Sequence, residues 1–208
     1  MFTLKKRSTR ELTKRRKRFQ LESLEAKHLL TGSGVILLSG HDILYHDGQL
    51  GFDTVALNYL RGAGTPDEVD AADYSLAVVG SGVGNWSFSA GGNNLSGYER
   101  TDYYDTDALS AASNLWDSVL AHDAVIVLSH ESCGGCDISD RGSDEINAHS
   151  QEILNAVAAG TDLWVGAAGH STTYYDFLDP IADLQTVEIG HASGFSLTPY
   201  GQLLGFTD

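Results

Sequence analysis

Cys133 and Cys136 stand three residues apart in DAVIVLSHESCGGC, and His130 precedes them by three. An imidazole and two thiols at that spacing suit a metal site, a redox pair or a thiolate nucleophile activated by histidine. They equally suit a local disulfide. With Gly134 and Gly135 between the sulfurs, a disulfide that stiffens the loop is the preferred reading. Three more histidines occupy a similar place, each following a small residue that closes an apolar run. Residues 35–38 lead into Ser39-Gly40-His41, 163–165 into Ala168-Gly169-His170, and 187–189 into Gly190-His191. Neutral imidazoles are common zinc ligands and carboxylates complete such sites, so His41, Asp42, His130 and His170 form the candidate set for a divalent cation, zinc or calcium. A zinc with an open position would polarise water for hydrolysis. The plainer alternative is that each histidine ends a strand and bonds a loop carbonyl, because no HExxH-type spacing fixes two ligands on one element.

The elements that must position these residues follow from apolar patterning. Short β-branched runs at 35–38, 74–79, 124–128 and 163–166 predict strands, and the chain finishes with another through 187–189. Between them lie helical patterns. Residues 51–61 place apolar side chains at 52, 55, 56, 59 and 60, stopped by Gly62 and Gly64. A helix capped by Asp107 points Leu109, Leu115, Trp116, Val119 and Leu120 inward, and one capped by Ser143 runs to Gly160. A short helix stops at Pro180. Strands alternating with helices predict an α/β fold, a mainly parallel flavodoxin-like sheet with helices on both faces. Right-handed crossovers place the strand-to-helix loops on one edge, where open sheets bind ligands, so the histidines are expected to share a rim.

Residues 81–107 are rich in Gly, Ser and Asn and are expected as loop, with a short strand or hairpin near 86–88. Asp102, Asp105 and Asp107 stand close enough in sequence to cup calcium, without the glycine and glutamate of an EF-hand. Tyr103, Tyr104, Tyr174 and Tyr175 are expected in loops, to stack on sugars or to pack half-buried. Ser129 and Ser171 adjoin histidines, but neighbours on a strand point to opposite faces, and no G-x-S-x-G elbow exists. A serine hydrolase is set aside.

Charge divides the chain sharply. Ten of its thirteen Lys and Arg fall within residues 1–30, while only Arg61, Arg100 and Arg141 follow, against twenty-five acidic residues, a formal −22. Such a body repels phosphate backbones, which argues against a nucleic-acid partner. A solvated acidic surface is the plain reading and specific cation binding the sharper one. No run of eighteen apolar residues exists, so no transmembrane segment is expected. Residues 1–33 read as a basic, mostly disordered leader and 34–208 as one α/β domain.

Within the leader, FQLESLEAKHLLTG (19–32) resembles the LEPR-XLL motif found near the N-terminus of many large bacterial surface or exported proteins. Leu24, Glu25, Leu29 and Leu30 match, while Ala26 and Lys27 replace its proline and arginine. The resemblance implies a secreted or cell-surface protein, with a cell-envelope or polysaccharide partner. The order of parts, notably DAVIVLS, the next helix and AAGTDLWVG, is similar to the class I glutamine amidotransferase-like fold. Active members carry a nucleophilic cysteine on a turn after such a strand. AAGHSTT puts His170 and Ser171 there and no cysteine. GHD at 40–42 with His46, INAHS at 146–150 and TPYGQLLGFTD at 198–208 are similar to a family of uncharacterised bacterial secreted or surface proteins. Its members continue past this point, which implies a domain cut short after Asp208. Together these readings give an exported non-catalytic interaction module, with a metal-dependent hydrolase at the histidine rim as the alternative.

Overall fold

Most of the apolar runs become strands because each is short and β-branched, and those of the sheet's middle are buried on both faces. The computed structural model describes residues 34–39, 51–81, 95–130, 138–166, 173–181 and 199–204. In chain order these hold β1 (Ile36–Ser39), α1 (Phe52–Leu60), β2 (Ser75–Gly80), β3 (Arg100–Asp105), α2 (Thr106–Ala111), α3 (Leu115–Val119), β4 (Ala124–Val127), α4 (Asp140–Ala148), α5 (Ser150–Ala159), β5 (Asp162–Gly166) and α6 (Pro199–Leu203). Single 3-10 turns lie at Ala71–Asp73 and Asp176–Leu178. Among the described residues no helix is long and apolar enough to cross a membrane.

The five strands form one parallel sheet in the order β1-β5-β4-β2-β3. This is an α/β, flavodoxin-like sheet. Strands β2 to β5 follow the flavodoxin-like order, and the N-terminal β1 takes the outer place that the last strand of that order holds. The β1-to-β2 crossover runs across the sheet opposite to those from β3 to β4 and β4 to β5. Right-handed crossings therefore set α1 on one face and α2 to α5 on the other. Strands β2, β4 and β5 are buried almost throughout, and Leu57, Leu76, Ile126, Ile153, Trp164 and Phe177 fill the core on both sides.

Several expectations need correction. Residues 100–105 are not loop but β3, so Tyr103 and Tyr104 stand on a strand. Its sequence RTDYYD looks polar because β3 is outermost of the five, with one side partly in solvent. Arg100 ties it inward: Nε pairs with Asp102 Oδ2 at 2.9 Å, and Nη2 lies 2.8 Å from Nε2 of buried His122. His122 Nδ1 faces Ser118 O at 2.9 Å, which joins the strand to the end of α3.

The helix caps also sit earlier than the sequence suggests. Asp105, not Asp107, caps α2, accepting from Asp107 N at 2.8 Å and Ala108 N at 3.4 Å, so β3 passes straight into helix. Ser139, not Ser143, caps α4 through Gly142 N at 3.1 Å. Gly142 hides this start, being a poor helix former. It is needed for close approach, because a Cβ there would come 2.7 Å from Thr106 Oγ1 of α2. The single helix expected as far as Gly160 is in fact α4 and α5, broken at His149. The short helix before Pro180 is one 3-10 turn.

At the opposite edge, Asp162 begins β5 from a buried position. Its Oδ1 accepts from Val35 N at 2.6 Å and its Oδ2 accepts from the Tyr74 hydroxyl. One carboxylate thus joins the starts of β1, β2 and β5.

Candidate functional site

Parallel strands deliver their following residues to one edge. Neighbours β1, β5 and β4 end there at Ser39, Gly166 and Val127. From β2 the chain goes outward to β3, and from β4 it goes the other way to β5, so the crevice between β2 and β4 is the topological switch point. His130 belongs to this edge, three residues past β4. His41, Asp42, His46, His170, His191, Cys133 and Cys136 lie outside the described residues, as do the segments near 86–88 and 187–189.

His130 is 3 % exposed and its position is fixed from several sides. Its backbone forms a parallel bridge with Ile138, whose N–H donates to Ser129 O at 2.7 Å. That bridge brings the start of α4 beside the end of β4. Asp140, first residue of α4, then lies with Oδ1 3.0 Å from His130 Nε2. Tyr174 packs edge-on against the imidazole, centroids 6.0 Å apart, and its hydroxyl donates to Leu128 O. Next to this, at the end of β2, Ser81 Oγ lies 2.8 Å from Thr106 Oγ1 and accepts from Ser139 N at 3.1 Å.

The chemistry follows from the two ring nitrogens. A carboxylate only accepts, so Nε2 donates to Asp140, and in the neutral ring that leaves the lone pair on Nδ1. That Nδ1 is buried with no hydrogen-bond partner among the described residues. Such an atom can ligate a metal or accept a proton. Ser129 Oγ, Ser143 Oγ and Asn147 Oδ1 are likewise buried and unpartnered. Ser129 and His130 thus form no dyad, in line with their alternate directions along the chain.

The structure separates the acidic trio suggested for calcium. Asp102 pairs with Arg100, Asp105 caps α2, and Asp107 Oδ1 lies 3.4 Å from Arg141 Nη1. Among the described residues no three His, Cys, Asp or Glu side chains converge as a metal site. Tyr174 is buried as packing, while Tyr103 is exposed on β3.

Sequence reasoning missed Asp140, which it left in a loop. Ser139-Asp140 ahead of an apolar-periodic run is a cap followed by an acidic first turn, and that signal was present. It also missed Glu145 and His149. Glu145 Oε1 accepts from Trp116 Nε1 at 3.0 Å and faces His149 Nε2 at 3.2 Å, while Oε2 accepts from Ser110 Oγ at 2.8 Å. His149 stacks on Trp116 at 4.8 Å and meets Glu152 Oε2 at 2.7 Å through Nδ1. A cleft of about 320 Å³ lies beside this knot, lined by α3, the turn before it, His149 and Glu152, and by none of the candidate site residues.

Burial works against the Glu145 charge, but the donors from Trp116 and Ser110 and the His149 ring outweigh it and hold the carboxyl below its ordinary 4.5. A lowered folded value gives stability that is present above the unfolded pKa and lost as pH falls through the folded one. Glu145→Gln is therefore expected to cost about 1–2 kcal/mol at neutral pH and to lose less on acidification below 4.5 than wild type. Urea unfolding at a series of pH values checks this; parallel wild-type and variant curves would contradict it.

Comparison with protein-family models and with curated protein sequences finds no match to this chain.

Proposed function

We propose that this chain is an exported acidic α/β domain that acts as a non-catalytic binding module, with a divalent cation held at the carboxyl edge by His130, His41, Asp42 and His170. The state of His130 carries the reading: Nε2 is engaged by Asp140, and a lone pair on Nδ1 is shut off from water without a donor. Ligating histidines usually turn their other nitrogen to a carboxylate in this way. The side-by-side placement of β1, β5 and β4 supports recruiting the other three, since each follows a strand end by two to four residues. An imidazole-led set suits zinc better than calcium, which prefers six to eight oxygens.

Burial of Nδ1 favours a closed ion over one that keeps a position open for substrate. Export rests on the LEPR-XLL resemblance at 19–32, and the likenesses to amidotransferase-like and bacterial surface proteins fit it. An exported setting favours the disulfide reading of Cys133 and Cys136. The acidic body suits a cell-envelope or polysaccharide partner rather than nucleic acid. The second reading, a metal-dependent hydrolase, is favoured by one observation: His130 borders the switch-point crevice between β2 and β4.

Zinc titration of the purified full chain, followed by p-nitrophenyl acetate as a general ester probe, separates them. The expected result is one zinc per chain and hydrolysis no faster than with His130→Ala. Zinc- and His130-dependent hydrolysis would select the second reading, and no zinc bound at micromolar concentration would overturn both.

A further inference from the structure

Of the buried side-chain atoms without a hydrogen-bond partner among the described residues, four sit on two touching elements: Ser129 Oγ and His130 Nδ1 after β4, Ser143 Oγ and Asn147 Oδ1 on α4. Three contacts link the residues that carry them. Asp140 reaches His130, and Asn147 Nδ2 donates to Thr173 O at 3.3 Å. Thr173 leads into Tyr174, whose ring meets His130 again. Asp140, Ser143 and Asn147 follow one another along one face of α4, spanning about 10 Å at 1.5 Å per residue. Ser143 lies between the other two along the helix.

Orphaned buried polar groups cost about 1–3 kcal/mol each, so four would remove much of the roughly 5–15 kcal/mol that keeps a domain folded. A shared partner is the economical remedy. Its sign follows from the atoms. With Nε2 donating to Asp140, the neutral His130 ring presents a lone pair at Nδ1, and Asn147 presents one at Oδ1, its Nδ2 being spent on Thr173. Both hydroxyls can turn a lone pair the same way. An anion would meet the lone pairs of Nδ1 and Oδ1 beside the two hydroxyls, and a buried ammonium would need a carboxylate inside the seam, whereas Asp140 is turned to His130 and 85 % exposed. All four atoms are buried from water, and a bare metal ion is smaller than a water molecule.

We propose that α4 supplies oxygen ligands, Asn147 Oδ1 and Ser143 Oγ, to a first-row divalent cation held by His130 Nδ1. This rests on the reading of His130 as a ligand, and it needs none of His41, Asp42 or His170. The mixed nitrogen and neutral-oxygen set takes its charge balance from neighbouring Asp140 and the acidic body.

Competition against a chromophoric chelator measures zinc affinity of the full chain, and visible absorption of the cobalt form reports the ligand set. Asn147→Leu is expected to weaken zinc binding about tenfold or more, and Ser143→Ala several-fold. Asn147→Asp, which offers a charged oxygen at the same place, is expected to tighten it about tenfold and to shift the cobalt bands. Tightening in that variant keeps the test open should Asn147→Leu fail to fold. If His130→Ala abolishes binding while both Asn147 variants match wild type, the cation reading stands and this assignment falls. If His130→Ala binds as wild type does, both fall.

Discussion

Asp162→Ala is expected to lower the unfolding free energy by about 3–5 kcal/mol, because it strands two buried donors at once. The carboxylate accepts from Val35 N and from the Tyr74 hydroxyl, and without it the outer strand β1 loses one of its ties to β5 at the amino edge. Asp162→Asn keeps an acceptor for Val35 and should lose about half as much. Burial raises the Asp162 carboxyl above its ordinary 3.8, against the pull of the bonds from Tyr74 and Val35. Burial and the adjacent Asp162 charge also raise the Tyr74 hydroxyl. A carboxyl with a raised folded pKa gives stability that is full below the unfolded value and lost as pH rises through the folded one. The deficit of Asp162→Ala should therefore be largest below 3.8 and shrink as pH climbs through the raised value. Denaturant unfolding across that range measures it. A deficit that grows with pH would mean the carboxylate is favoured by its surroundings rather than opposed by burial.

His130→Ala is expected to lower zinc affinity at least about 100-fold, and Asp140→Asn about tenfold, since the second change leaves the ligand but weakens its support. At zinc one hundred times the wild-type dissociation constant, binding adds about 2.7 kcal/mol to stability. Thermal unfolding with and without zinc should show that gain in wild type and none in His130→Ala. An equal gain in both would put the ion elsewhere in the chain.

How far the sequence reveals these features depends on where each residue gets its signal. Strands β2, β4 and β5 are legible because both faces are buried and their residues are apolar almost without interruption. Parallel direction follows from the alternation with helices. Strand β3 is not legible, since an outer strand can carry Arg100, Asp102 and Tyr103 toward solvent without penalty. The start of α4 is masked by Gly142, whose presence answers a contact with α2 that no local pattern contains. The same holds at the site. His130 announces itself as a histidine after a buried strand, but Asp140 acquires its role only when the Ile138 bridge folds the chain back beside it. Asn147 and Ser143 read as ordinary polar positions of a helix until their burial is known. The place of β1 beside β5 is a matter of topology, and it is what lines up three histidine-led strand ends.

The most direct test is a crystal structure of the full chain grown with one equivalent of zinc, with diffraction recorded on both sides of the zinc absorption edge. The account predicts one strong anomalous peak about 2.0–2.1 Å from His130 Nδ1, at the carboxyl ends of β4 and β5. A zinc-free map, or a peak whose ligands exclude His130, would contradict it.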